Sequence, residues 1–208
     1  MQNFKKYPRT LHLPWSLGST SDDKTLDSVS HFKDKEIILT LKMDGENTTM
    51  YHNGVHARSL DSKNHSSRSW VQNKQGEIAH LIPDNFRICG ENLFAKHSVA
   101  YKDLPSYFMV FSIWEDDVCL SWKDTELWCA KLGLDLVPVL YIGHFNELDI
   151  KMAFDPYQSE HEGYVVRLAS QFKYEDFSKS IAKNVRKNHV QTDTHWMHQS
   201  IIKNELKK

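Results

Sequence analysis

Apolar residues recur along the chain in short runs bounded by Gly, Asn, Asp or Pro, which is the pattern of strands joined by tight turns. The runs KEIILTLK (35–42), YFMVFSIW (107–114) and EGYVVRL (162–168) predict strands. Asn53-Gly54, between NTTMYH and VHARSL, is a strong signal for a two-residue hairpin turn. The sequence therefore predicts many short strands, mostly with antiparallel neighbours.

Other segments have helical spacing or a mixed signal. In the segment 134–142, Pro138 predicts an edge or bulged strand, because proline cannot donate to a ladder. Ser121 and Gly133 resemble the start and stop of a helix. The predicted helices are 67–81, 123–133, 146–154 and an amphipathic one over 193–206; FRICGENLF (86–94) and KSIAKNVRK (179–187) predict further strands. The fold class is therefore α+β.

The composition suits one large domain, or one domain with an appendage, since the chain has 208 residues, 40% of them hydrophobic and 12% aromatic. Three cysteines form no CxxC pair, and their odd number favours a reducing cytoplasm. Apolar runs of membrane-spanning length are absent from the sequence, so we expect no membrane association.

The formal net charge is −1, but the charge is unevenly distributed. Residues 173–208 carry eight Lys or Arg against four Asp or Glu, and the opening nine residues hold Lys5, Lys6 and Arg9 with no acid. Both ends are therefore basic around an acidic middle, which favours a local face for anions such as nucleic-acid phosphates.

Polar residues stand at the ends of several predicted strands. Lys42 lies in KMDG, Glu91 in CGENLF and Glu162 in EGYVVRL, while Lys183 lies in IAKNVRK. Each has an ordinary interpretation, because lysines commonly protect sheet edges and acids at strand ends are commonly solvated. Their order along the chain indicates a chemical role that no single one of them indicates alone.

In that order, KMDG, CGENLF, YFMVFSIW, EGYVVR and SIAKNVRK resemble the motifs of the covalent nucleotidyltransferase superfamily of ATP-dependent RNA and DNA ligases and mRNA capping enzymes. The resemblance covers roughly residues 36–190, and KYPRTLHLPW and AKNVRKNHVQTDTHW look most like small phage and bacterial RNA ligases. It implies an ATP-grasp-like ligase adenylation domain of antiparallel sheets with flanking helices. We expect this nucleotidyltransferase domain at 1–190, with a basic N-terminal arm, and a helical tail at 191–208.

The resemblance implies that Lys42 attacks the α-phosphate of ATP to give a lysyl-adenylate. An amine attacks only when neutral, and at an ordinary pKa near 10.4 roughly one lysine in 2,500 is neutral at pH 7. We therefore expect the site to lower the pKa of Lys42 through burial and through the positive charge of Lys183 and Mg²⁺.

The remaining roles follow from the same resemblance. Mg²⁺ or Mn²⁺ would be held by Glu162, with Asp44 as a second ligand. The nucleotide would be bound by Phe111 on the purine, Glu91 on the ribose, Arg58 on phosphate or ribose, and Lys183, Arg186 and Lys187 on phosphates. Phe111 also fits a core position, Arg58 a surface hairpin, and the three basic residues a plain basic strand. Leu41 and Ser112 depart from the pattern, because many relatives carry acids there.

The implied partner is RNA with 5′-phosphate and 3′-OH ends, which Lys5, Lys6 and Arg9 would contact through phosphates. About twenty residues follow the last basic motif in this sequence, so we expect no OB barrel after it. We expect an ATP-dependent RNA ligase for RNA repair, with an RNA end-healing enzyme as a further candidate partner. The alternatives are a DNA ligase or mRNA guanylyltransferase using the same lysine, or an inactive RNA-binding module. His195 and His198, one helical turn apart, are a weaker zinc candidate.

Overall fold

A computed structural model describes residues 4–20, 22–62, 64–187 and 201–208. Twelve strands and four α-helices are described. The strands are β1 (Leu11–His12), β2 (Glu36–Lys42), β3 (Glu46–Tyr51), β4 (Gly54–Ala57), β5 (Phe86–Asn92), β6 (Phe108–Glu115), β7 (Val118–Cys119), β8 (Asp135–Leu136), β9 (Val139–His144), β10 (Gly163–Leu168), β11 (Phe172–Lys173) and β12 (Ile181–Val185). The helices are α1 (Ser69–Ile78), α2 (Trp122–Leu132), α3 (Glu147–Phe154) and α4 (Phe177–Ser180).

The strands form two sheets. One has the order β1-β12-β10-β2-β9, and the other has the order β11-β7-β6-β5-β3-β4 with β8 paired to β6. Pairing is antiparallel except for β1 with β12 and β6 with β8. The prediction of an α+β fold with mostly antiparallel sheets and flanking helices is confirmed.

Local signals in the sequence account for several elements. The Asn53-Gly54 hairpin joins β3 and β4, with Tyr51 opposite Gly54. Ser121 Oγ accepts a hydrogen bond from the Asp124 N–H at the start of α2, and Gly133 ends that helix in the left-handed conformation (φ 61°). The predicted hairpin and the helix over 123–133 are thus confirmed.

The strand predicted at 134–142 is divided at Pro138. Its first part, β8, pairs in the larger sheet, and its second part, β9, forms the edge of the smaller one. Pro138 lies between them, and its carbonyl oxygen accepts from the Leu41 N–H at 2.9 Å, beside a bulge in β2. The residue that cannot donate therefore stands where the chain crosses from one sheet to the other.

Helices pack against both sheets. The α3 residues Ile150 and Phe154 pack in one core cluster with Tyr164 of the smaller sheet, whereas α1 and α2 pack on the larger sheet. A third cluster contains Tyr7 and Phe177, with Phe111 and Val165 against it, so it joins the two sheets. This junction places the ends of β2, β5 and β10 near one another.

The helix predicted over 193–206 is wrong for its described part. Residues 201–208 contain no helix and instead form isolated bridges, Ala95 with Lys203 and Leu104 with Leu206. The remainder of that helix, with His195 and His198, lies outside the described residues. Within the described ranges, no helix has the length and apolar character needed to cross a membrane.

Candidate active site

Lys42 is the last residue of β2 and lies opposite Gly163, the first residue of β10. Its Nζ contacts Oε2 of Glu162 at 2.6 Å. A Cβ at position 163 would lie 1.9 Å from the Asn184 carbonyl oxygen, so only glycine allows β12 to approach here. The Glu-Gly pair thus sets the carboxylate against the lysine.

The charges around Lys42 favour its protonated form. Burial lowers the pKa of Lys42, but the carboxylates of Glu162, Glu91 and Asp44 outweigh burial and raise the pKa above its ordinary value. The charges of the chain alone therefore do not give the expected lowering, because three acids converge on one amine. The part of that expectation that depends on Mg²⁺ stays a prediction. Loss of the Glu162 contact would remove the largest of the raising charges.

Glu91, on β5, lies on the other side of the KMDG turn. Its Oε1 accepts from the Gly45 N–H at 3.1 Å. A Cβ at Gly45 would lie 2.5 Å from the Asn92 carbonyl oxygen, so this glycine also permits a close approach. Burial raises the pKa of Glu91 to about 8, although Lys42 opposes the rise.

Asp44 is held by backbone groups. Its Oδ2 accepts hydrogen bonds from the N–H groups of Ser98 and Val99, both at 2.7 Å, and its own N–H donates to the Tyr101 hydroxyl at 2.9 Å. We expected Asp44 to face a metal ion or its water. In this geometry one of its carboxylate oxygens instead accepts the bonds from Ser98 and Val99, which lie in the loop between β5 and β6.

A cavity of about 330 Å³ opens beside Lys42. Aromatic and aliphatic side chains form part of its lining, and cationic side chains outnumber carboxylates. Its apolar side includes Phe111, Val137, Val165 and Ile181, and its polar side includes Arg9, Asp23, Asn47, Arg58, Glu91 and Lys183.

Two buried polar atoms on cavity residues have no hydrogen-bond partner within the described part of the chain. They are Nε of Arg58 and Oδ1 of Asn47. Unpaired buried polar atoms are costly, so such atoms at a cavity are suited to a polar ligand. A nucleotide fits this lining, since it brings a flat base for Phe111 and phosphates for the cationic side chains.

Lys183, on β12, also lines the cavity. Its Nζ lies 3.6 Å from Oδ1 of Asp23, which comes from the chain before β2. Burial lowers the pKa of Lys183, while Asp23 opposes that effect. Burial alone would raise the pKa of Asp23, but hydrogen bonds from Thr20 and the charge of Lys183 lower it to about 2.

The other predicted basic residues are dispersed. Arg186 donates from Nε to the His161 carbonyl oxygen at 2.8 Å, and Lys187 is exposed; neither lines the cavity. In the predicted arm, Lys5 pairs with Asp117 and Lys6 is exposed, whereas Arg9 lines the cavity. RNA contact by Lys5, Lys6 and Arg9 stays a prediction.

Some cavity residues were missed by sequence reasoning. Tyr7 packs its ring edge-on against Phe111, with centroids 5.2 Å apart, and Asp23 and Asn47 also line the cavity. Tyr7 and Arg9 are two positions apart, and alternate residues of an extended segment face the same side, which was an available signal. Asp23 lies in a turn-rich stretch without any periodicity.

The described residues contain no group of three or more His, Cys, Asp or Glu that could hold a metal ion on its own. Mg²⁺ does not need one, since it is usually held by one or two carboxylates together with substrate phosphates and waters. Glu162, beside Lys42 and the cavity, fits that limited donor set.

The two-sheet α+β fold matches that of the nucleotidyltransferase domain of polynucleotide ligases. The chain belongs to the RNA ligase family, whose sequence model matches residues 35–185. No curated protein matches the chain.

Solved structures resemble the chain at low sequence identity. A variant of the Naegleria gruberi RNA ligase with ATP and Mn has a TM-score of 0.52 and 15% identity, over 76% of this chain and 52% of that one. A putative ATP-dependent DNA ligase from Aquifex aeolicus has a TM-score of 0.58 and 16% identity, over 88% of this chain and 50% of that one. An archaeal ATP-dependent RNA ligase has a TM-score of 0.57 and 16% identity, over 88% of this chain and 48% of that one. The chain thus spans about half the length of these proteins.

Proposed function

We propose that this chain is an ATP-dependent RNA ligase that forms a lysyl-AMP intermediate on Lys42 and joins RNA 5′-phosphate to 3′-OH ends in RNA repair. The carrying observation is that the Lys42 amine lies at a cavity beside Glu162 and Glu91, with Arg58 and Lys183 in its lining. Family membership and the fold support the proposal. The ATP and Mn in the Naegleria gruberi ligase structure support the nucleotide and metal assignment.

Each cavity wall has a part in positioning ATP. Phe111 stacks on the purine, with Val165 among the aliphatic side chains beside it. Glu91 accepts from a ribose hydroxyl, or donates to it when protonated. Arg58 and Lys183 bind phosphate oxygens, which leaves the α-phosphorus within reach of Lys42.

The first step exchanges one bond for another. A bond forms between Lys42 Nζ and the α-phosphorus as the bond from that phosphorus to the leaving pyrophosphate oxygen breaks. Glu162, with Asp44 as the second candidate, would hold Mg²⁺, which supplies charge neutralisation at the phosphates. When Glu162 turns from the Lys42 ammonium to another cation, its charge no longer raises the pKa of Lys42. The amine can then lose its proton.

Two later steps complete the reaction. AMP passes from Lys42 to the RNA 5′-phosphate, and a 3′-OH then attacks that activated phosphate and releases AMP. Lys5, Lys6 and Arg9 are our candidates for contacts with RNA phosphates, since they lie on the segment that leads into the cavity wall.

The test is incubation with ATP labelled in its α-phosphate and with Mg²⁺. We expect wild type to gain a label that is lost in acid, because a phosphoramidate to an amine is acid-labile whereas a phosphoester is stable there. Mass mapping should place the label on Lys42. Lys42→Ala should gain no label, whereas the control Lys35→Ala, at an exposed position just before the same strand, should label as wild type does. An unlabelled wild type, or a labelled Lys42→Ala, would contradict the proposal.

Paired substrates separate the alternatives. GTP in place of ATP tests a guanylyltransferase, and DNA ends in place of RNA ends test a DNA ligase. RNA binding without any nucleotide turnover would indicate an inactive binding module.

A further inference from the structure

Asn204 lies in the segment 201–208 and is only 3% exposed. It is surrounded by the loop 93–107, which connects β5 to β6. Four hydrogen bonds join Asn204 to this loop. Asn204 donates from Nδ2 to the Leu93 carbonyl at 2.8 Å and from its backbone N–H to the Phe94 carbonyl at 3.3 Å. Its Oδ1 accepts from the Tyr101 N–H at 2.9 Å, and its backbone carbonyl accepts from the Tyr107 hydroxyl at 2.9 Å. One asparagine thus connects both ends of the loop to its middle.

Backbone pairing on either side of Asn204 extends this contact. The Lys96 N–H donates to the Ile202 carbonyl at 2.7 Å, and the Glu205 N–H donates to the Tyr101 carbonyl at 2.9 Å. The Leu104 N–H in turn donates to the Glu205 carbonyl at 3.1 Å. The loop therefore uses the 201–208 segment as the strand-like partner for its polar backbone groups.

The same loop binds the turn that follows Lys42. Ser98 and Val99 donate their N–H groups to the Asp44 carboxylate, and Tyr101 accepts from the Asp44 N–H. Tyr101 is the shared residue, because its backbone contacts Asn204 while its hydroxyl contacts Asp44. A continuous path of hydrogen bonds thus runs from Asn204 to the KMDG motif.

We propose that Asn204 is a positioning residue for Lys42, acting through the loop 93–107 and Asp44. This inference rests on the proposed adenylation of Lys42. Without the Asn204 side chain, the loop loses two bonds and the turn after Lys42 loses its fixed partner. In-line attack depends on placement at the ångström scale, so we expect adenylation to slow by about tenfold or more.

Hydrogen exchange tests the structural half of the inference independently of catalysis. In Asn204→Ala, the amides of Ser98 and Val99 should exchange faster than in wild type. The control Glu205→Ala removes an exposed neighbouring side chain and keeps its backbone bonds, so exchange should match wild type. Unchanged exchange at both amides in Asn204→Ala would overturn the inference. If Asn204→Ala does not fold, Asn204→Asp is measured in its place. It keeps the acceptor for the Tyr101 N–H and loses the donor to the Leu93 carbonyl.

A double-mutant cycle on adenylation tests the path. Tyr101→Phe removes the hydroxyl that accepts from Asp44 and keeps the ring. If both residues act through the same turn, the combined loss in Asn204→Ala with Tyr101→Phe should be smaller than the product of the single losses. A fully multiplicative loss, or an undiminished rate in Asn204→Ala, would contradict the path. If wild type itself does not label, the proposed function fails, while hydrogen exchange still decides the role of Asn204 in the loop.

Discussion

One ion pair is formed by Lys42, which opens the KMDG motif, and another by Glu46, which follows it, and the two pairs differ in the freedom of the cation. Lys42 meets Glu162 through one contact of 2.6 Å, and a quarter of the lysine side chain is exposed. Arg68 meets Glu46 through two contacts, from Nε at 2.7 Å and from Nη2 at 2.5 Å, and its side chain is only 6% exposed. The lysine pair opens onto the cavity, whereas the arginine pair joins the start of α1 to β3.

The difference separates a pair that holds the fold from a pair that can change partner. A planar guanidinium engaged through two parallel bonds is fixed in direction, while an ammonium on a flexible stem can turn to a new acceptor. Lys42 opens the motif and forms the exchangeable pair, whereas Glu46, the residue just after the motif, forms the fixed pair. Three predictions test this contrast.

The largest effect on stability should follow Arg68→Met. It leaves the Glu46 carboxylate buried without its cation, and we expect a loss of about 3–5 kcal/mol in the free energy of unfolding. Lys42→Met should lose clearly less, since Glu162 lies beside the cavity. Denaturant unfolding of both variants measures the difference. The double variant Arg68→Met with Glu46→Leu should recover most of the loss, and an Arg68→Met loss no larger than that of Lys42→Met would refute the contrast.

The second prediction concerns the pKa of Lys42, which we expect to change in Glu162→Gln with a smaller free-energy effect than Arg68→Met has on unfolding. The substitution removes the largest charge that raises the pKa of Lys42, so burial gains weight and this pKa should fall below its wild-type value. NMR titration of isotopically methylated lysines measures it. Glu147→Gln is the control, because it removes an acid from the exposed Lys151 pair on α3 and should leave Lys42 unchanged. A Lys42 pKa that stays constant or rises in Glu162→Gln would show that the pair does not govern the amine.

The motif residues at strand ends were predictable because each signal is local. Lys42, Glu91 and Glu162 follow or precede strands whose apolar pattern is unmistakable, and Gly45 and Gly163 mark the close approaches beside them. Sheet pairing then brings them together. Phe111 was likewise among the candidates through the resemblance of its strand to the family motif, and in the structure it is half-buried and lines the cavity.

Long-range contacts set what could not be predicted. The bonds from the Ser98 and Val99 amides to Asp44 could not be foreseen, because backbone partners leave no trace in side-chain identity. Metal binding by Asp44 stays a prediction. Residues 201–206 have helix-like apolar spacing, yet their backbone groups pair with the loop 93–107. Tertiary hydrogen bonding thus overrides local propensity there.

The smallest expected change in stability follows Asp23→Asn, which removes the carboxylate paired with Lys183 in the same cavity as Lys42. The pKa of Asp23 is lowered from 3.8 to about 2, so the carboxylate contributes stability that is fully present above pH 3.8 and is lost as the pH falls toward 2. The difference in free energy of unfolding between wild type and Asp23→Asn should therefore stay constant from neutral pH down to that window and then shrink. We expect it to be less than about 1 kcal/mol, since Asp23 is partly exposed and its contact with Lys183 is long. Denaturant unfolding at a series of pH values measures it, with Asp22→Asn as the neighbouring control. A difference that grows as the pH falls through this window would mean that Asp23 does not bind its cationic neighbours as a carboxylate.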